Sequence, residues 1–168
     1  MNRANRWALA VVVLAAACRY DQTGETATCT ITLSGAVTGT YDCRPAHVWW
    51  SPSVGNAAAL EFEVAPTAGR PSVEASIGFA HQPSVGHFSS SESDAEGFFY
   101  VTATDGTFYS MQVGPPFNVG AFGGTWDLTF DKCDGPLRRY VGFAFDTSGS
   151  ADVSIDNGNG TVTAHITF

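Results

Sequence analysis

From Cys29 onward, apolar side chains recur at every second position in short runs bounded by Gly, Pro, Asn and Asp, and nothing constrains the fold of this chain more. Successive residues of a strand point to opposite faces, so this period builds ribbons with one apolar and one polar side. Cys29, Ile31 and Leu33 alternate with Thr30 and Thr32; Val73, Ala75, Ile77 and Phe79 with Glu74, Ser76 and Gly78; Trp126, Leu128 and Phe130 with Asp127 and Thr129. Leu60 to Val64 and Val141 to Phe145 repeat the pattern, and Val153 to Ile155 with Val162 to Phe168 reads as a hairpin closed over Asn157-Gly158-Asn159-Gly160. No stretch keeps a helical period for three turns. Such ribbons hide their apolar sides only against one another. The expected fold is therefore all-β, an antiparallel β-sandwich of jelly-roll or immunoglobulin-like type, with a small β-barrel as the alternative.

The start of the chain differs in kind. Met1 to Arg6 is short and basic, Trp7 to Ala17 is apolar, and Ala15-Ala16-Ala17 precedes Cys18. These are the three parts of an export signal, and the apolar run falls short of the roughly 20 residues a membrane span needs. Ala15-Ala16-Ala17-Cys18 resembles the lipid-attachment motif of bacterial lipoprotein precursors, with Ala15 where Leu is usual and Leu14 one residue earlier. The resemblance covers this segment alone. It implies cleavage before Cys18, acylation of the Cys18 thiol and, with Arg19 next, an outer-membrane address. Ordinary cleavage after Ala17 would instead give a periplasmic or secreted protein. The expected organisation is a signal peptide at 1–17, the lipid-attachment Cys and a short tether at 18–28, and one β domain at 29–168. The ten residues after Cys18 reach at most about 33–36 Å, which keeps the domain close to its membrane.

Charge narrows the partners. Loss of Arg3 and Arg6 with the signal leaves six basic against sixteen acidic residues, a net charge of −10. Nucleic acid, which is held through clustered Lys and Arg, is excluded as a partner. The expected partners are the membrane, through the lipid, and a glycan or a cell-surface protein. No cofactor motif is present.

Two aromatic features could bind such a partner. In Gly97 to Val113, Asp105-Gly106 favours a two-residue primed turn, which sets Thr104 opposite Thr107. That register places Phe98 and Tyr100 with Tyr109, Met111 and Val113 on one face, and Phe99, Val101 and Ala103 with Phe108, Ser110 and Gln112 on the other. Both faces are then apolar, so the hairpin is either covered on both sides or presents an aromatic surface to a ligand. Trp49 and Trp50 are adjacent, and adjacent strand residues point to opposite faces, so one indole lies outside a one-sided core. Trp49, Trp50, Phe99 and Phe108 are the candidate ligand-binding residues, and a carbohydrate-binding module is the second functional reading after a non-catalytic surface module.

Other chemistries find less support. His81 and His87 are six residues apart in a loop, without a partner Cys or Glu at zinc spacing. Asp152 and Asp156, with Asp146, Asn157 and Asn159, are a weak calcium candidate whose spacing does not fit a Ca²⁺ loop. G-x-S-x-G is absent, and acidic pairs such as Glu61/Glu63 share the solvent face of a strand, so no enzyme is expected, although a hydrolase stays among the alternatives. Gly124-Thr125-Trp126 resembles the G-x-W of lipocalin-type barrels, where it normally comes first, which leaves a lipocalin-like carrier as a further alternative.

The cysteines yield a pairing. An antiparallel register with Cys29 opposite Cys43 also sets Ile31 against Tyr41 and Leu33 against Gly39, all on one face, at a separation a disulfide spans. Cys133 is then left as a free thiol, or is bridged to Cys18 if that residue carries no lipid.

The signal generates a first prediction: Cys18→Ala abolishes incorporation of labelled fatty acid and releases the protein from membranes, because the thiol is the attachment point of the diacyl group. A wild-type protein that takes up no label would overturn the anchor.

Overall fold

The computed structural model describes residues 29–45, 48–51, 57–79, 84–91, 95–113, 123–139, 142–156, 158 and 160–168, and every regular element among them is a strand. In chain order these are β1 (Cys29–Gly35), β2 (Gly39–Pro45), β3 (Val48–Ser51), β4 (Ala57–Val64), β5 (Ser72–Phe79), β6 (Gly86–Ser89), β7 (Ala95–Thr102), β8 (Phe108–Val113), β9 (Gly123–Arg139), β10 (Gly142–Asp156) and β11 (Thr161–Thr167).

The strands pair antiparallel in the order β6-β9-β10-β11-β1-β2-β4-β5-β7-β8. This ladder folds over into two layers, β6 to β2 in one and β4 to β8 in the other. The corner lies at β2 and β4, which share only the pairs Arg44 with Glu63 and Pro45 with Phe62; Pro45 has no N–H, and its place at the end of a ladder follows from that. At the other side β3 pairs with both β4 and β10. β10 reaches it across register shifts between Ala144 and Asp146 and between Ser148 and Gly149, irregularities that bend a strand from one layer toward the next. The result is a sandwich and not a closed barrel.

Registers align the apolar residues into rows, so each strand buries the same side as its neighbour. Leu33, Ala164, Val153 and Trp126 follow one another across β1, β11, β10 and β9, and Phe62, Ala75, Phe99 and Met111 across β4, β5, β7 and β8. All eight are buried. A run of rings ties the layers at one end: Phe62 to Phe168 at 5.2 Å, Phe168 to Phe130 at 6.0 Å, and Phe130 to Phe79 at 5.9 Å. These tilted and edge-on contacts add about 0.5–1.5 kcal/mol each beyond area burial.

Cys29 and Cys43 face each other in the β1–β2 register and form a disulfide with a Cα–Cα distance of 4.9 Å. Ile31 pairs with Tyr41 and Leu33 with Gly39 in the same ladder. The bridge closes a loop of about 15 residues, for which the chain-entropy relation gives about 3 kcal/mol.

The hairpin of β7 and β8 departs from expectation by one residue. Ala103 N–H donates to Thr107 O at 2.8 Å, Gly106 N–H donates to Ala103 O at 3.0 Å, and Gly106 takes a left-handed φ of 87°. Three residues, Thr104 to Gly106, therefore form the loop, a tight turn followed by a left-handed Gly, and not the two-residue primed turn. Thr107 N–H also donates to Asp105 Oδ1 at 2.8 Å, which holds that carboxyl below its ordinary range. In this register Val101 pairs with Tyr109 and Phe99 with Met111. The physical reason is burial: the two-residue turn would have put Ser110 and Gln112 beside Phe99 and Val101 in the core. The observed one puts Tyr109 and Met111 there.

Among the described residues Trp126 is the largest fully buried side chain, and it sits against β7 of the opposite layer at Gly97, where an added Cβ would lie 2.6 Å from the indole Nε1 and 2.8 Å from Cδ1. Only hydrogen fits there. Gly97→Ala should lower stability by about 1–3 kcal/mol in urea unfolding through overpacking. The same change should cost less in a Trp126→Phe background, and equal costs in both backgrounds would show that the indole is not the obstacle.

Candidate functional site

The outer face of the β4-β5-β7-β8 layer is divided by strand. Outward positions of β4 and β5 carry Glu61, Glu63 and Glu74; those of β7 and β8 carry Phe98, Tyr100 and Phe108. Glu63 pairs directly with Glu74, and Glu74 with Tyr100. One row across three strands thus reads acid, acid, aromatic. These six residues, with Ser72, Thr102 and Pro66, line an open depression of ≈ 650 Å³.

The rings form a row of their own. Phe98 and Tyr100, two apart on β7, stack at 5.1 Å with planes 22° apart, and Tyr100 meets Phe108 on β8 at 5.7 Å and 30°. Carbon surfaces touch at about 3.5–4.0 Å. A 5.1 Å centroid spacing therefore implies a sideways offset of roughly 3–4 Å, so the rings do not hide one another's faces fully. Phe108 is 51% exposed, one of two large hydrophobic side chains so open among the described residues. This is an aromatic surface bordered by carboxylates, of the kind that takes an amphipathic ligand with both apolar faces and polar edges.

The expected site residues are dispersed. Phe99, grouped with Phe108 by the two-residue turn, is 1% exposed in the core, because the true register puts odd positions of β7 inward. Phe108 stays outside but joins Phe98 and Tyr100, which the same turn had placed on the opposite face. Trp49 and Trp50 lie on β3, with backbone partners Ala59 and Ala58 in β4 and Ala144 and Phe143 in β10, and their side chains lie outside the described residues. Cys18, His47, His81, Asn157 and Asn159 also lie outside them.

The opposite layer has a polar outer face. His165 Nδ1 meets Asp152 Oδ1 at 2.7 Å, and His87 Nε2 lies 3.4 Å from Asp127 Oδ1. Thr32 and Thr40 share a hydrogen bond at 3.2 Å, as do Ser34 and Thr163 at 2.5 Å. Asp152 is thus engaged with a histidine, while Asp156 accepts from Gly158 N–H at 3.3 Å within its own turn. Four residues of strand, about 13 Å, separate the two carboxylates. No group of three His, Cys, Asp or Glu able to hold a metal occurs among the described residues, and Asn157 and Asn159 of the calcium candidate lie outside them.

A carrier would need a cavity between the layers. The space bounded by Phe62, Ile77, Gly97, Met111 and Trp126 is ≈ 10 Å³, room for about one water. Gly124, of the Gly-Thr-Trp run, has a packing role of its own, since an added Cβ would meet the Met111 side chain. With this geometry in place, comparison with known proteins adds no assignment: no family model, curated protein or solved structure matches the chain.

The solvent face of Glu61, Glu63 and Glu74 was legible from alternation, but the ring row beside it was not: β7 is apolar on both faces, and a one-residue slip between β7 and β8 moves Phe108 from one face to the other. The polarity of Ser110 and Gln112 against Tyr109 and Met111 was the available signal.

Cys133, on β9, is half-buried and unpaired. Burial, with Asp134 beside it, pushes its thiol above the ordinary cysteine range, the reverse of what a nucleophilic thiol needs. Iodoacetamide should accordingly modify Cys133 in the folded protein more slowly at pH 7 than in the urea-unfolded chain, with the gap closing as pH rises. Equal rates at pH 7 would overturn this.

Proposed function

We propose that this protein is an extracytoplasmic module, anchored through lipid at Cys18, that binds a saccharide on the outer face of the β4-β5-β7-β8 layer without transforming it. The observation that carries the reading is the offset row of Phe98, Tyr100 and Phe108 beside Glu61, Glu63 and Glu74. A pyranose ring has two C–H faces and a rim of hydroxyls. Aromatic rings match the faces, and carboxylates accept hydrogen bonds from the rim.

Several further features support the reading. The depression is open, which suits a polymer passing through more than a small molecule enclosed. The Cys29–Cys43 disulfide fits an oxidising compartment, where extracellular glycans are met. Glu61, Glu63 and Glu74 are all exposed along this face, placed to accept hydrogen bonds from a ligand's hydroxyls.

The test is calorimetric titration of neutral, acidic and amino oligosaccharides into the protein, with Tyr100→Ala and Phe108→Ala as variants. Each ring is worth about 0.5–1.5 kcal/mol, so each variant should weaken binding about 2- to 12-fold. Urea midpoints should move little, since both rings face outward. If no saccharide binds, or if binding survives removal of both rings, the reading falls.

A further inference from the structure

The acidic half of the same face says which saccharides fit, an inference that rests on the saccharide reading above. Glu61, Glu63 and Glu74 crowd two neighbouring strands, and Glu96, on β7, lies over Gly78 on that same face, its Cγ 3.1 Å from where a Cβ there would stand. Among the described side chains of this face there is no Lys or Arg. Arg70 lies in the turn after β4, and Arg44, whose side chain is outside the described residues, is the backbone partner of Glu63.

Three carboxylates, Glu61, Glu63 and Glu74, thus line the depression, with Glu96 further along the same face, and they set up a negative potential over it in a chain already strongly acidic. An uncharged glycan leaves that potential as it was. An acidic one adds to it. A ligand bearing ammonium groups relieves it, and the adjoining rings favour the same charge, since a cation is attracted to an aromatic face. Position agrees with charge. Glu74 is the direct cross-strand neighbour of Tyr100, about 4.8 Å away between backbones. A pyranose lying across the exposed edges of the ring row at Tyr100 would hold an amine within reach of the Glu74 carboxylate, with Glu63 next in line for the following residue of the polymer.

We infer that this face selects saccharides that carry free amines: oligomers of glucosamine are bound in preference to their N-acetylated or neutral counterparts. The rings seat the sugar and the glutamates read its charge.

The test uses the full chain in detergent with four probes: a glucosamine oligomer, the N-acetylglucosamine oligomer of equal length, a neutral glucan oligomer and oligolysine. The glucosamine oligomer should bind tightest. Glu63→Gln and Glu74→Gln should each weaken it about two- to fivefold, and more than they weaken any binding of the N-acetylated oligomer. Raising salt from about 0.01 M to about 1 M shortens screening from about 30 Å to about 3 Å, and should erase the preference. Equal binding of all three saccharides, lost on Phe108→Ala, overturns the amine preference and leaves saccharide binding standing. Binding of oligolysine as tight as that of glucosamine, indifferent to Phe108→Ala, shows an acidic patch for basic peptides and overturns the inference. Binding of none of the saccharides overturns both.

Discussion

The contact between the Trp126 indole and the bare Cα of Gly97 is the constraint on which the two layers depend. Stacked sheets lie about 10 Å apart, and a Trp pointing inward from β9 leaves almost no room for a side chain on the strand it meets. Gly97 provides that room, and both neighbours of Gly97 on β7 then point outward. Phe98 is one of them, so the first ring of the outer row is held by what lies beneath the adjacent residue. The arrangement has a cost. Trp126 Nε1–H has no acceptor among the described residues, and a buried unpaired donor is worth about 1–3 kcal/mol of lost stability. Burial of the indole, beside Met111 and Gly97, works in the other direction.

Outer surfaces of the two layers differ because their residues are spent differently. On the β6-to-β2 layer, hydroxyls and imidazoles bond across strands to one another, with His165 on Asp152 and Ser34 on Thr163, so polar groups are largely satisfied within the face. On the β4-to-β8 layer, large apolar rings stand beside glutamates that carry like charge. The rings there pack on one another, while Glu63 and Glu74 are direct cross-strand neighbours of like charge, a pairing that works against stability.

How much of this could be read in advance varies from hairpin to hairpin. In β1 and β2, Cys29, Ile31 and Leu33 share a face with Cys43, Tyr41 and Gly39, and polar residues fill the other; only one register buries the apolar set, and the disulfide follows from it. In β7 both faces are apolar, with Phe99 and Val101 on one and Phe98 and Tyr100 on the other. Alternation cannot then say which face is the core. The dipeptide Asp105-Gly106 fits a two-residue turn and a three-residue loop about equally, and the choice between them moves Tyr109 and Met111 from one side of the sheet to the other.

What the sequence alone determined is therefore the class: period-2 runs and Gly- and Asx-rich turns call for an antiparallel all-β structure, sandwich or barrel, because nearly every strand has one side that must leave water. Local pattern also determined the β1–β2 register and the closing hairpin of β10 and β11, where each strand has a single apolar side. Tertiary structure decided what lay beyond local pattern. It chose the inward face of β7 by opposing Gly97 to Trp126, and it brought Glu61, Glu63 and Glu74, distant in the chain from Phe98 to Phe108, onto one surface with them. Those choices belong to the packing of one layer on another, where the volume of a side chain on β9 determines which face of β7 can turn inward.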